Sequence, residues 1–278
     1  MSAAVFFLIL FAALCHATWN AIVKSAADKT LTAVLVAATA AVIAAIALPF
    51  LPQPAPASWP YLATSVVLQV AYYFLVAGAY RAADMSQAYP LMRGTAPLIV
   101  AVVTAFWLGE HLSPHAWAGI ALISMGVIGV SLGAWSGGNT RGAALALGNA
   151  VVIAAYTITD GWGVRASGAA SGYTMWLFLI TAIPLVGREL YARPAEFGRY
   201  AAANLRQGIV GGAGTLISYG LALWAMTVAP VAIVAALRET AILFAIAIAA
   251  LVLKERVRPA TLLAIAVIAA GAIVLRLA

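Results

Sequence analysis

Several stretches put ionisable or hydrogen-bonding side chains inside apolar sequence, and they define the chemistry on offer. In residues 84–110, Arg93 stands within a run of spanning length, where a charge costs about 2.5–3.5 kcal/mol on insertion scales. Such a guanidinium faces protein, water or a ligand rather than lipid, and it recognises a carboxylate or phosphate through two parallel bonds. Pro90 and Pro97 flank it, each removing a backbone donor, a break tolerated where neighbours or a cavity satisfy the freed carbonyls. A second arginine, Arg238, has Glu239 beside it. Adjacent helical residues point about 100° apart, so these two meet different partners. Arg238 is read either as an anion-binding group or as a structural bond to Asp160 or to the carbonyls of a broken helix.

Polar residues at helical spacing mark further candidate faces. His16, Trp19 and Asn20 fall at i, i+3 and i+4, and Lys24 continues their stripe. This face either lines a cavity or bonds neighbouring helices, and Lys24 at a helix end is read as snorkelling to the interface. Tyr156 and Asp160 lie at i and i+4. Asp160 has four readings: a partner for Arg93 or Arg238, a site for a substrate amine, a carrier of a coupling proton, or a boundary marker. Gln69, Tyr73 and Tyr80 recur along one segment, and Ser218, Tyr219 and Trp224 along another. Aromatics with a polar tip suit a flat or amphipathic solute, so Tyr73, Tyr89, Tyr156, Tyr219 and Trp224 are candidate cavity residues. Tyr80, Trp59, Trp107, Trp117, Trp135 and Trp176 lie near expected helix ends, where an interfacial belt is expected.

The elements that must position these groups follow from composition. With 65% apolar and 8% charged residues and a strongly positive mean hydropathy, 278 residues bury too little of their hydrocarbon in a soluble core. Lipid is the solvent for most of it. The +7 charge is the orientation signal of a membrane protein, not a nucleic-acid footprint. The single cysteine, Cys15, excludes a disulfide framework and a thiol metal site. The first 23 residues carry no Lys or Arg and have spanning length, so they are read as a retained helix.

Apolar stretches of spanning length fall at about 2–24, 30–50, 58–80, 85–109, 115–134, 141–164, 171–188, 207–229, 231–253 and 259–276. The expected fold is all-α, with ten membrane helices; the narrowest separator, Thr227 to Pro230, lies between the eighth and ninth. Rare residues repeat at an offset of 145: Arg93 with Arg238, Glu110 with Glu255, Pro114 with Pro259, Gly126 with Gly271, and Thr95-Ala96 with Thr240-Ala241. The chain thus reads as two five-helix repeats, 1–134 and 141–278. An odd helix count inverts the second relative to the first, giving two inverted-topology repeats around a central cavity. One face collects Lys24, Lys29, Arg81, Arg141, Arg188, Arg193, Arg199, Arg206, Lys254, Arg256 and Arg258, against Arg165 and Arg276 on the other. The crowded face is expected to be cytoplasmic, with both termini outside. Gly208, Gly211, Gly212 and Gly214, like Gly126, Gly129 and Gly133, are read as packing surfaces.

With these features in place, the sequence resembles the EamA type of the drug/metabolite transporter superfamily. The resemblance rests on the start His16-Ala-Thr-Trp19-Asn20-Ala-Ile-Val-Lys24 and on the Leu-x-Glu-x-x-x-Pro segments from Leu108 to Pro114 and from Leu253 to Pro259. It implies ten helices around a cavity and movement of small metabolites, commonly outward. Members carry amino acids, nucleobases, sugars, sugar phosphates or drugs, and aromatic amino acid exporters are among them.

The candidate wall of aromatics, with an arginine for a carboxylate and an aspartate for an amine, leans toward amino acids with aromatic or large apolar side chains. The expected substrate-binding set is His16, Trp19, Asn20, Tyr73, Tyr89, Arg93, Tyr156, Asp160, Tyr219, Trp224, Arg238 and Glu239. An enzyme would need paired carboxylates, a His cluster or a nucleophile with its base. His16, His111 and His115 are scattered instead, with no HExxH motif. No catalytic residue, metal or cofactor is expected, and no ring of like charges suggests a channel. The expected partners are a small solute and the bilayer of the inner membrane, around a monomer that binds no nucleic acid.

Overall fold

The computed structural model describes residues 1–132, 140–251 and 259–278. The expectations on Gly133, Trp135, Leu253, Lys254, Glu255, Arg256 and Arg258 lie outside the described residues. The chain forms α1 (Ala3–Ser25), α2 (Lys29–Ala47), α3 (Trp59–Ala82), α4 (Met85–Phe106), α5 (Pro114–Leu132), α6 (Thr140–Ser167), α7 (Ala170–Ala192), α8 (Pro194–Val228), α9 (Val231–Arg238), α10 (Ala241–Leu251) and α11 (Pro259–Leu277). Eight spans are long and apolar enough to cross a bilayer, α9 and α10 together making one of them. α5 and α11 are shorter apolar helices.

Helix starts follow local chemistry. Ser2 accepts from the Val5 amide at 3.3 Å, Asp28 from Leu31 at 2.9 Å, and Ser113 from Ala116 at 3.1 Å, each satisfying a donor that the first turn leaves free. Proline opens α5, α8 and α11, where its missing N–H costs nothing. Two departures from the sequence reading concern the helices themselves. Pro90 and Pro97 do not break α4, which runs through both. The ninth span breaks instead, with no proline inside: at Glu239 and Thr240 the bonds tighten to i→i−3, and the Thr240 hydroxyl donates to the Leu237 carbonyl at 2.6 Å. The polar stretch expected to separate the seventh and eighth spans is also largely helical, joining the span in α8 through a kink at Asn204. Glu189 holds that corner by accepting from Arg188 at 3.0 Å and from Arg193 at 2.7 and 3.0 Å.

Packing reproduces the repeat. α3 packs on α6 as α1 packs on α8, α4 on α6 as α1 on α10, while α2 pairs with α7 and α5 with α11. This pattern is unchanged when the spans are exchanged five for five. The α5–α11 seam shows it residue by residue: Gly126 receives Ile268, and Gly271 receives Ile123. Both pairs are related by the offset of 145, so each glycine admits the same isoleucine from the other repeat. Gly208, Gly211 and Gly212 let α8 close on Leu35, Val36 and Thr39 of α2, where the Thr39 hydroxyl donates to the Gly208 carbonyl at 2.6 Å. Close approach of this kind supplies dispersion that lipid tails cannot displace. Gly129 meets nothing, so its packing role is not seen.

Candidate functional site

A cavity of about 160 Å³ lies among α1, α3, α4, α6, α7, α8 and α9. From the last turns of α1 come His16, Trp19 and Asn20, and from the first half of α4 come Tyr89 and Arg93. The cavity therefore sits nearer the face where α1 ends and α4 begins. Tyr73 and Gln69 of α3, Tyr156 of α6, Tyr219 of α8 and Arg238 of α9 complete the expected part of the wall. The i, i+3, i+4 reading of α1 is realised: the Trp19 indole donates to His16 Nδ1 at 3.3 Å, and the Asn20 amide donates to the His16 carbonyl at 2.8 Å. Those bonds hold the stripe within its own helix and turn it to the cavity.

Three expected residues stand elsewhere. Trp224 is 41% exposed and does not line the cavity, because it follows Tyr219 by five residues and so points off its face. Glu239 and Asp160 lie just behind the wall, both buried. Sequence reasoning passed over Tyr72, Phe178 and Thr215 on the wall and Tyr173 behind it. Tyr72 packs edge-on against Tyr156, and Phe178 against Tyr219. Tyr72 completes an i, i+3, i+4 stripe with Gln69 and Tyr73, and Thr215 one with Ser218 and Tyr219, the spacing read in α1 and passed over here; Phe178, a single aromatic on an apolar helix, carries no such signal.

The two arginines, equivalent by sequence, have different surroundings. Arg93 is not free for a ligand: it makes a two-bond pair with Glu239, Nε to Oε2 at 2.9 Å and Nη2 to Oε1 at 2.8 Å. Asp160, considered as a partner for it, pairs with neither arginine. Arg238 instead lies over the Tyr219 ring at 4.7 Å from its centroid and lines the cavity without a carboxylate partner among the described residues. The asymmetry has a sequence cause. The position equivalent to Glu239 in the first repeat is Gly94, which must stay small because Ile128 and the Ser124 carbonyl crowd it. The mirror image of the Arg93–Glu239 pair therefore cannot form, and one guanidinium faces the cavity.

Asp160 is fully enclosed by hydroxyls. Tyr219 donates to Oδ2, Tyr173 donates to Oδ1 at 3.0 Å, and Ser65 of α3 lies near the same carboxyl. Gln69 on the cavity wall donates to Ser65 at 3.2 Å. Tyr173 reaches Asp160 by crossing α6 at Gly163, where any Cβ would collide with its hydroxyl and with Tyr61.

At the other face a clasp closes the bundle. Gly109, at φ +69°, turns the chain after α4 so that Glu110 folds back. Its Oε1 accepts from Arg165 of α6 and from the Val231 amide of α9, each at 3.0 Å. Arg165 donates further to the carbonyls of Met226 and Ala229 at 2.7 and 3.0 Å. Thus the end of α4, the end of α6 and the α8–α9 turn are tied at one point.

Fold and site together define a polytopic helical membrane protein with a solute-sized cavity between two related halves. The chain belongs to the EamA-like transporter family, whose model matches residues 3–132 and 140–277, one match for each half. It is thereby a membrane transporter of small metabolites. No curated protein matches its sequence. One solved crystal structure superposes over 100% of this chain and 98% of its own, with a TM-score of 0.77 at 20% identity, a likeness that speaks for the fold.

Proposed function

We propose that the chain is a secondary carrier of amino acids with aromatic or large apolar side chains, working by alternating access. The observation that carries this reading is Arg238, a guanidinium without a carboxylate partner in a wall of aromatic rings. A carboxylate seated there gains charge-assisted bonds in a low-dielectric pocket, while tyrosine and tryptophan faces take an apolar side chain. The cavity is smaller than the roughly 300–1,000 Å³ of drug-sized sites, which favours a compact metabolite over a bulky drug. Sugar phosphates would call for more cationic groups than one.

The substrate-binding set on this reading is His16, Trp19, Asn20, Tyr72, Tyr73, Tyr89, Tyr156, Tyr219 and Arg238, with the carboxylate on Arg238 rather than on the neutralised Arg93. Reconstituted in liposomes, the protein is expected to show saturable counterflow of phenylalanine. Arg238→Gln should raise half-saturation about 10- to 100-fold, the loss of one charge-assisted contact. Unchanged half-saturation for carboxylate-bearing solutes would remove Arg238 from this role, and conductance or chemical change of the solute would remove the carrier reading. The basic face, on the count of Lys and Arg, is placed in the cytoplasm of a cell with the protein in its inner membrane. A reporter active only in the cytoplasm, fused to Ala278, should then stay silent.

A further inference from the structure

Asp160 carries no ion pair among the described residues, yet it is 0% exposed. Its hydrogen-bond partners among the described residues are the hydroxyls of Tyr173 and Tyr219, with Ser65 close by. A shell of guanidinium or backbone N–H groups only donates and would hold a carboxyl permanently ionised, but a hydroxyl both donates and accepts. The same shell therefore satisfies the carboxylate, by donating to it, and the carboxylic acid, by turning one hydroxyl round to accept its proton. Neither protonation state leaves a buried polar atom unpaired, so the site can change state without the desolvation penalty of an orphan.

The other charged and titratable groups around Asp160 fit this picture. α9 brings Arg238, which acts on Asp160 itself; Tyr156 of its own helix stands between it and Arg93 of α4, whose charge is matched by Glu239. Tyr219 stands between Asp160 and Arg238, its hydroxyl on one and its ring under the other. Tyr219 also lines the cavity, so its hydroxyl is the group through which a proton leaving the carboxyl would pass toward the cavity, leaving Asp160 as the carboxylate.

We propose that Asp160 is a proton-binding site coupled to the anion subsite at Arg238, so that a proton and the substrate cross the membrane together. The sign follows from electrostatics. With the subsite empty, the guanidinium favours a negative charge at Asp160 across the Tyr219 ring. A substrate carboxylate on Arg238 cancels that influence, so Asp160 binds a proton more readily, and by reciprocity a protonated Asp160 favours the anion. The loaded centre then carries one proton with each anionic group. The coupling rests on the amino acid reading given above; the proton site does not.

The test has two arms. Infrared difference spectra of the reconstituted protein, without substrate, stepped from acid to alkaline bath, should show a protonated-carboxyl band that disappears and that is missing in Asp160→Asn. A wild-type spectrum with no such band overturns the proton site. Should Asp160→Asn fail to fold, Tyr173→Phe keeps the carboxyl and the cavity wall, and the midpoint of the band should move; an unmoved midpoint overturns the site equally.

In the second arm, liposomes under a pH gradient should accumulate phenylalanine on the alkaline side. Asp160→Asn should lose this accumulation and keep counterflow. Accumulation on the acid side, or gradient-driven accumulation retained by Asp160→Asn, overturns the coupling. Absence of any phenylalanine movement counts against the amino acid reading, and the infrared arm still decides the proton site.

Discussion

Arg93 and Glu239 form a bidentate ion pair between the two repeats, at 2.8 and 2.9 Å, in a place where neither charge reaches bulk water. Removing one member strands the other, at a cost of about 3–5 kcal/mol. Glu239→Gln should therefore lower the unfolding free energy of the purified protein by that amount, while Arg93→Met with Glu239→Leu recovers most of it; a single variant as stable as wild type would show that the pair contributes nothing. The pair also marks the limit of what spacing can tell. The α1 stripe of His16, Trp19 and Asn20 was legible because its geometry is internal to one helix. The partners of Arg93 and Asp160 come from other helices, and no periodicity encodes which of several carboxylates a guanidinium meets.

Elements carry the next level of constraint. Ten apolar stretches announce ten spans, while the polar run before the eighth proves largely helical and joins it in α8. A broken helix was expected at Arg238 and again, from Pro90 and Pro97, at Arg93; the ninth span breaks and α4 stays whole. The break instead needs buried polar groups, such as the Thr240 hydroxyl, to take up freed carbonyls. At the far face, Glu110 ties α4 to α6 and α9 with one oxygen, and its other oxygen, Oε2, is buried without a partner. Glu110→Gln weakens the Arg165 contact, so amide hydrogen exchange over Val231 to Leu237 should accelerate. Unchanged protection there would rule out the clasp as a restraint on α9. Gly163→Ala should push Tyr173 from Asp160 and destabilise the protein, whereas Gly148→Ala, at an open site on the same helix, should be neutral or stabilising.

The molecule as a whole is held along a seam in which Gly126 and Gly271 admit Ile268 and Ile123. A pseudo-two-fold axis makes these contacts equivalent, so Gly126→Leu and Gly271→Leu should each cost similar stability, at least about 1–3 kcal/mol from overpacking. Thermal unfolding of the two variants side by side checks this, and a large inequality would show that the halves do not pack as equals. The repeat was readable because its markers, arginine, glutamate, proline and glycine, are rare in so apolar a chain.

Where the halves differ, at Gly94 against Glu239, the equivalence ends. Because only the second half carries the counter-charge, alternating access as proposed would offer one compartment a pocket that is not the reflection of the pocket offered to the other. Cargo should therefore load from the two sides with unequal half-saturation, making this porter directionally biased by a single residue position, a difference that paired measurements on vesicles of opposite orientation would read directly.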